Sequence, residues 1–122
     1  MKHYKKILVG LDFSNSDKSL INYVKFLNES IRPEAIHFLN VQEKIDIPED
    51  VLEQFPQLRE DIKKTFVEKM KEETSEFHLV GTDLIFDMVS GHIIEGTLNY
   101  AQTHDIDLLV LGRKKDLKKS NF

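Results

Sequence analysis

Lys5-Lys6-Ile7-Leu8-Val9-Gly10-Leu11-Asp12-Phe13-Ser14-Asn15-Ser16 is the stretch that decides the fold class. The run from Ile7 to Leu11 is apolar or small throughout, with no polar alternation. A strand with one wet face alternates, whereas an unbroken apolar run is buried on both faces, the pattern of a parallel sheet covered by helices. Asp12 to Ser16 follows at once and is rich in side chains that cap helices. The stretch reads as strand, turn and helix start.

Outward from it, the same alternation repeats. Leu20, Val24, Leu27 and Ile31 recur at helical spacing, and Pro33 closes that helix because the residue before a proline is pushed out of the α region. Ala35 to Val41 reads as a second strand. Pro48 and Pro56 punctuate a polar region. From Pro56, which suits a first helical turn, Leu58, Ile62, Phe66 and Met70 recur every fourth residue and predict a helix with an apolar core stripe and a charged, solvated face. Leu84 to Val89 is a third strand, and its internal Asp87 predicts an edge position. Ser90-Gly91 leads into a helix carrying Ile94, Leu98 and Ala101, closed by His104-Asp105. Asp107 to Gly112 is a fourth strand, followed by a basic tail.

The order is β-α-β-α-β-α-β, which implies right-handed crossovers onto an open parallel sheet with helices on both faces. The fully apolar first strand and the acid in the third predict the strand order 3-2-1-4, with strand one central. That arrangement leaves the outer edge of strand four open, and an open edge invites pairing with another chain.

Bulk properties narrow the function. With 122 residues the chain is one domain, and 40% hydrophobic with 31% charged residues is ordinary for a globular protein. A net charge of −4 argues against a nucleic-acid partner. The absence of cysteine excludes disulfides and thiol chemistry. The apolar stretch near the N-terminus is too short for a signal peptide, and none approaches a membrane span, so a cytoplasmic protein is expected. His3, His37, His78, His92 and His104 show no zinc-type spacing, so no metal is predicted, and His37 reads as a core histidine.

In an open parallel sheet, ligands bind at the carboxyl ends of the strands where the strand order reverses. Asp12 and Ser14 end strand one, Val41 and Gln42 end strand two, and Gly112 with the basic run ends strand four. A carboxylate can read a base or ribose, and a glycine turn beside lysines can hold phosphate. Each residue also has a plainer reading. Asp12 can be a helix N-cap, Ser14 a cap or turn former with no histidine placed beside it, and the lysines a solvated tail.

Ile7-Leu8-Val9-Gly10-Leu11-Asp12-Phe13-Ser14, Ile36-His37-Phe38-Leu39-Asn40-Val41, Val89-Ser90-Gly91, Tyr100-Ala101 and Asp107-Leu108-Leu109-Val110-Leu111-Gly112 together resemble the universal stress protein family over nearly the whole chain. The resemblance implies a Rossmann-like domain of the adenine nucleotide alpha hydrolase type. In ATP-binding members the first-strand aspartate and a second-strand valine contact adenosine, and a loop G-x-x-G-x9-G-S/T holds ribose and phosphates. Residue by residue, Asp12, Val41 and Gly112 match; Ser14 takes the family's serine place, and Arg113 and Lys115 fall in the loop. Lys115 replaces the second glycine and the third falls beyond Phe122. Lysines neutralise phosphate but cannot let backbone come close as glycine does.

The family normally continues through another helix and a fifth strand, roughly 20 more residues. The resemblance therefore implies a single domain over residues 1–122 lacking the fifth strand, either as a fragment, a truncated form or a degenerate domain. It further implies a stress-response module with a degenerate ATP-binding loop, binding ATP or another adenine nucleotide weakly without metal. Such a module acts by ligand sensing and protein association, as a homodimer with possible protein partners, and is not an enzyme. The alternative is an ATP-dependent or ATP-hydrolysing enzyme of a related class, for which only Asp12 and Glu43 are candidate catalytic groups.

Overall fold

In the computed structural model, residues 4–43, 46–77 and 81–112 are described. Strands β1 (Lys6–Gly10), β2 (Ala35–Gln42), β3 (Asp83–Ser90) and β4 (Leu108–Leu111) form one sheet in the order β3-β2-β1-β4. All pairings are parallel, with Ile7 opposite Ile36 on one side and Leu108 on the other. The expected strand order and the central position of β1 are both present. Helices α1 (Ser16–Ile31), α3 (Leu58–Glu73) and α4 (Ile93–Thr103) occupy the predicted connections, and a short α2 (Glu49–Gln54) lies between the prolines.

The continuous apolar run of β1 is divided between two cores. Ile7 and Val9 face α1 and α3, packing with Leu20, Val24, Phe38 and Met70. Leu8 faces the other way, toward Leu39 and Tyr100 under α4. Two long helices thus cover one face and a single helix the other. Helix α1 ends where Arg32 turns left-handed at φ 51° and returns its N–H to the Asn28 carbonyl, just before Pro33.

Two apolar stripes depart from the sequence reading. On α3 only Met70 is fully buried, while Leu58, Ile62 and Phe66 are half-buried. On α4 the apolar residues divide: Ile94 is 76% and Leu98 is 55% exposed, whereas Ala101 packs against the second core beside the buried Tyr100, and Thr97 is buried as well. The reason is Gly96, over which the helix closes on the sheet; a Cβ there would lie 3.2 Å from Val41. That close approach fixes the face that Thr97 and Tyr100 share. Edge strand β3 carries Asp87, whose wet position is met by an ion pair to Lys63 at 3.0 Å.

Candidate functional site

The topology places a switch point between β1 and β4, because the chain runs β1 to β2 to β3 on one side and then crosses to the other. A cleft of about 180 Å³ opens there. Asp12, Ser16, Asp17, Val41, Thr97 and Gly112 line it, with apolar walls from Leu11, Leu39, Ile93 and Leu111. Asp12, Val41 and Gly112, predicted from three separate strand ends, meet in this one cleft.

The remaining predicted positions fall elsewhere. Ser14 lines a neighbouring groove with Asn15, Lys18 and Asn22. Its hydroxyl accepts the Ser16 N–H at 3.3 Å and bonds the Ser16 hydroxyl at 2.6 Å, so it works as a turn former. Glu43 is exposed and does not line the cleft. Arg113 and Lys115 lie outside the described residues, as does the rest of the basic tail.

Local hydrogen bonds explain how the loop after β1 is held. Asn15, not Asp12, stands at the N-cap of α1. The Asp12 Oδ1 accepts the Ser14 N–H at 2.9 Å, closing a tight Asx turn. The next residue, Phe13, sits left-handed at φ 64°, uncommon for a side chain of that size. Asp17, buried in the first turn of α1, compensates by accepting the N–H groups of Asp12 at 3.2 Å and Phe13 at 2.7 Å. On the other side Asn40, buried in β2, donates to the Leu11 carbonyl at 2.8 Å and accepts from Gln42 at 2.6 Å. Asp17 and Asn40 are the site-positioning residues that sequence reasoning missed. Asp17 looks like an ordinary first-turn acid. Asn40 looks like one polar residue in an apolar strand.

Burial pushes the Asp17 carboxyl up, and the two backbone N–H bonds only partly oppose it. Among the described residues, no three His, Asp or Glu side chains converge so as to hold a metal ion. No helix of the described residues is long and apolar enough to cross a membrane.

A parallel sheet in the order β3-β2-β1-β4 with helices on both faces and a small, mostly apolar cleft at its switch point defines the Rossmann-like α/β class of fold. The chain belongs to the universal stress protein family, whose model matches residues 3–121. Solved structures agree on the fold. The universal stress protein UspA from Lactobacillus plantarum is 18% identical with a TM-score of 0.72, covering 95% of this chain and 81% of its own. A hypothetical protein, MJ0577, is 23% identical with a TM-score of 0.75, covering 99% and 83%. A universal stress protein crystallised in complex with cAMP is 13% identical with a TM-score of 0.59, covering 88% and 72%. No curated protein matches the chain in sequence.

Proposed function

We propose that this chain is a stress-response module that binds an adenine nucleotide weakly and acts through ligand sensing and protein association rather than by catalysis. The observation that carries the reading is the meeting of Asp12, Val41 and Gly112 in one cleft at the switch point. The cAMP complex of a structural relative supports an adenine-type ligand for this fold.

Size and charge refine it. About 180 Å³ is below the roughly 300–1,000 Å³ of pockets that enclose drug-sized ligands, so the cleft suits a base with part of its ribose. Asp12 and Asp17 are the ionisable side chains among the described lining residues, and carboxylates accept hydrogen bonds from ribose hydroxyls or an exocyclic amine while repelling phosphate. In sequence, Arg113, Lys114 and Lys115 follow Gly112 directly, and lysines offer phosphate a salt-screened attraction without a glycine cradle. A cytoplasmic setting fits the composition.

Association has its own support. The outer edge of β4 pairs with no strand among the described residues, and Ile94 and Leu98 on α4 and Leu111 on β4 are exposed. An open edge together with exposed apolar side chains favours a homodimer. Light scattering at rising concentration tests it, and a strictly monomeric mass would count against it.

The nucleotide reading is tested by calorimetric titration of ATP and adenosine at low and high salt. We expect dissociation constants of roughly tens of micromolar or weaker, ~6 kcal/mol or less, with only the ATP value worsening in salt. Tight, salt-insensitive ATP binding, or hydrolysis of the bound ATP, refutes the degenerate-loop reading.

A further inference from the structure

The loop after β1 is held from three sides. Asn40 holds it through the Leu11 carbonyl, and Asp17 through the Asp12 and Phe13 N–H groups. The third hold comes from α3, none of whose residues lines the cleft. The Phe13 ring stacks on Phe66, with centroids 5.7 Å apart and planes 24° from parallel. The Lys69 ammonium lies 4.5 Å from the centre of the Phe13 ring and 5.9 Å from that of Phe66. Phe66 and Lys69 are neighbours one turn apart on the same helix face, so both reach the one ring. Phe13 joins Asp12, which lines the cleft, to Ser14, whose N–H the Asp12 carboxylate accepts at 2.9 Å. Its φ of 64° is left-handed, where glycine would sit without strain. What phenylalanine brings to this position is therefore its ring.

We propose that Phe66 and Lys69 are positioning residues for the cleft: by clasping the Phe13 ring they keep the strained turn closed and hold the Asp12 carboxylate where an adenine nucleoside meets it. The effect on ligand rests on the nucleotide reading of the cleft; the clasp itself does not. The magnitudes explain why both contacts matter. A non-glycine residue held left-handed is disfavoured by a factor of about 5–150. Ring stacking returns a factor of about 2–12, and an exposed ammonium over a ring a factor of about 2–5. Together the two contacts are of the same order as the strain, so the turn stands near balance and losing one contact opens a measurable population. An unstrained loop would keep its shape when a contact was lost. A ligand that needs the closed turn binds more weakly in proportion to the closed population lost.

The test compares the full wild-type chain with Phe66→Leu, Phe66→Tyr and Lys69→Met. At the half-buried position 66, leucine keeps an apolar side chain without the ring, and tyrosine keeps the ring. Lys69 is exposed, so Lys69→Met removes the charge, keeps the stem and leaves folding intact. Amide hydrogen exchange followed by NMR reads the turn at the Asp12 and Phe13 N–H groups, with the fully buried Val24 and Phe38 as references. In Phe66→Leu the two loop amides exchange about 2–12-fold faster beyond any change at the references, and in Lys69→Met about 2–5-fold faster. In Phe66→Tyr they exchange as in the wild type. Loop amides that only follow the references in Phe66→Leu and Lys69→Met, or that speed up equally in Phe66→Leu and Phe66→Tyr, overturn the clasp. Calorimetry with adenosine reads the cleft: Phe66→Leu binds at least about twofold more weakly than the wild type, and Phe66→Tyr matches it. Equal affinity in Phe66→Leu and the wild type overturns the coupling to the cleft. If adenosine binds none of these proteins, the nucleotide reading falls, and the exchange rates alone decide the clasp.

Discussion

Replacing Tyr100 by Phe isolates one buried bond in the thinner half of the molecule. The Tyr100 hydroxyl meets His37 Nδ1 at 2.8 Å, and the Tyr100 ring also stacks on His104 with centroids 3.8 Å apart. Phenylalanine keeps the ring, the stacking and the packing against Leu8 and Leu39, and removes only the hydroxyl. Burial pushes the Tyr100 hydroxyl up to about 12, so it stays a neutral partner across any practical pH range. What is lost is one neutral hydrogen bond, and what remains is a buried imidazole nitrogen with no mate. That cost is about 1–3 kcal/mol. For a domain of this size it corresponds to a Tm fall of roughly 4–12 °C. Urea unfolding followed by circular dichroism at pH 7.5 reads it directly, and an unchanged slope shows that the denatured state is not responsible. The wild-type pH profile provides a second check. Burial, then His104 and Lys6, hold the His37 pKa below its ordinary value, so the folded state favours the neutral ring. Stability from this source is complete above about pH 6.5 and is lost as the pH falls below it. A Tyr100→Phe protein as stable as the wild type at pH 7.5 would show that water replaces the hydroxyl and that the cluster is not dry.

Two further outcomes concern the cleft. Asn40→Ala leaves the Leu11 carbonyl without its 2.8 Å donor at a fully buried position, and should cost about 1–3 kcal/mol in urea unfolding as well as weakening adenosine binding. Gly96→Ala gains about 1 kcal/mol of helix propensity but sets a Cβ 3.2 Å from Val41 Cγ1. The two effects nearly offset in the unfolding midpoint, while the displaced Val41 lowers adenosine affinity measured by calorimetry; unchanged affinity would mean that Val41 is not a ligand wall.

The fold was legible because its decisive signals are local. The unbroken run of β1, the acid in β3 and the prolines each speak for their own segment, and chain order then restricts the topology. Asp12, Val41 and Gly112 were legible for the same reason, as residues that end strands. The short α2 was not, because Glu49–Gln54 buries no residue and leaves no apolar period to read. The buried face of α4 was misread because Ile94 and Leu98 carry the hydrophobicity while Gly96, by its lack of a side chain, decides the contact. Asp17 was hidden because its burial follows from a left-handed Phe13, a conformation that phenylalanine does not advertise. The bond from His37 to Tyr100 joins residues 63 apart, beyond what any short pattern can reveal.

The central place of β1 also dictates an order of events during synthesis. The β1–β2 pairing closes a short loop, with Lys6 opposite Ala35, as soon as the first helix has formed. The β4 side closes much later: Lys5 donates its N–H to Asp107 at a separation of 102 residues. That longer closure costs about 1 kcal/mol more in chain entropy. A nascent chain can therefore settle β1, β2 and β3 with α1 and α3 in place while the groove beside β1 still waits for the fourth strand and is only a ledge. Pulse-labelled amide exchange should find Leu109 and Val110 protected after Leu8 and Leu39, and the reverse order would contradict this. The wall that Leu111 and Gly112 give the cleft is then the last piece to arrive. A small molecule that fits the finished cleft would act on the protein at the closing step of its own folding.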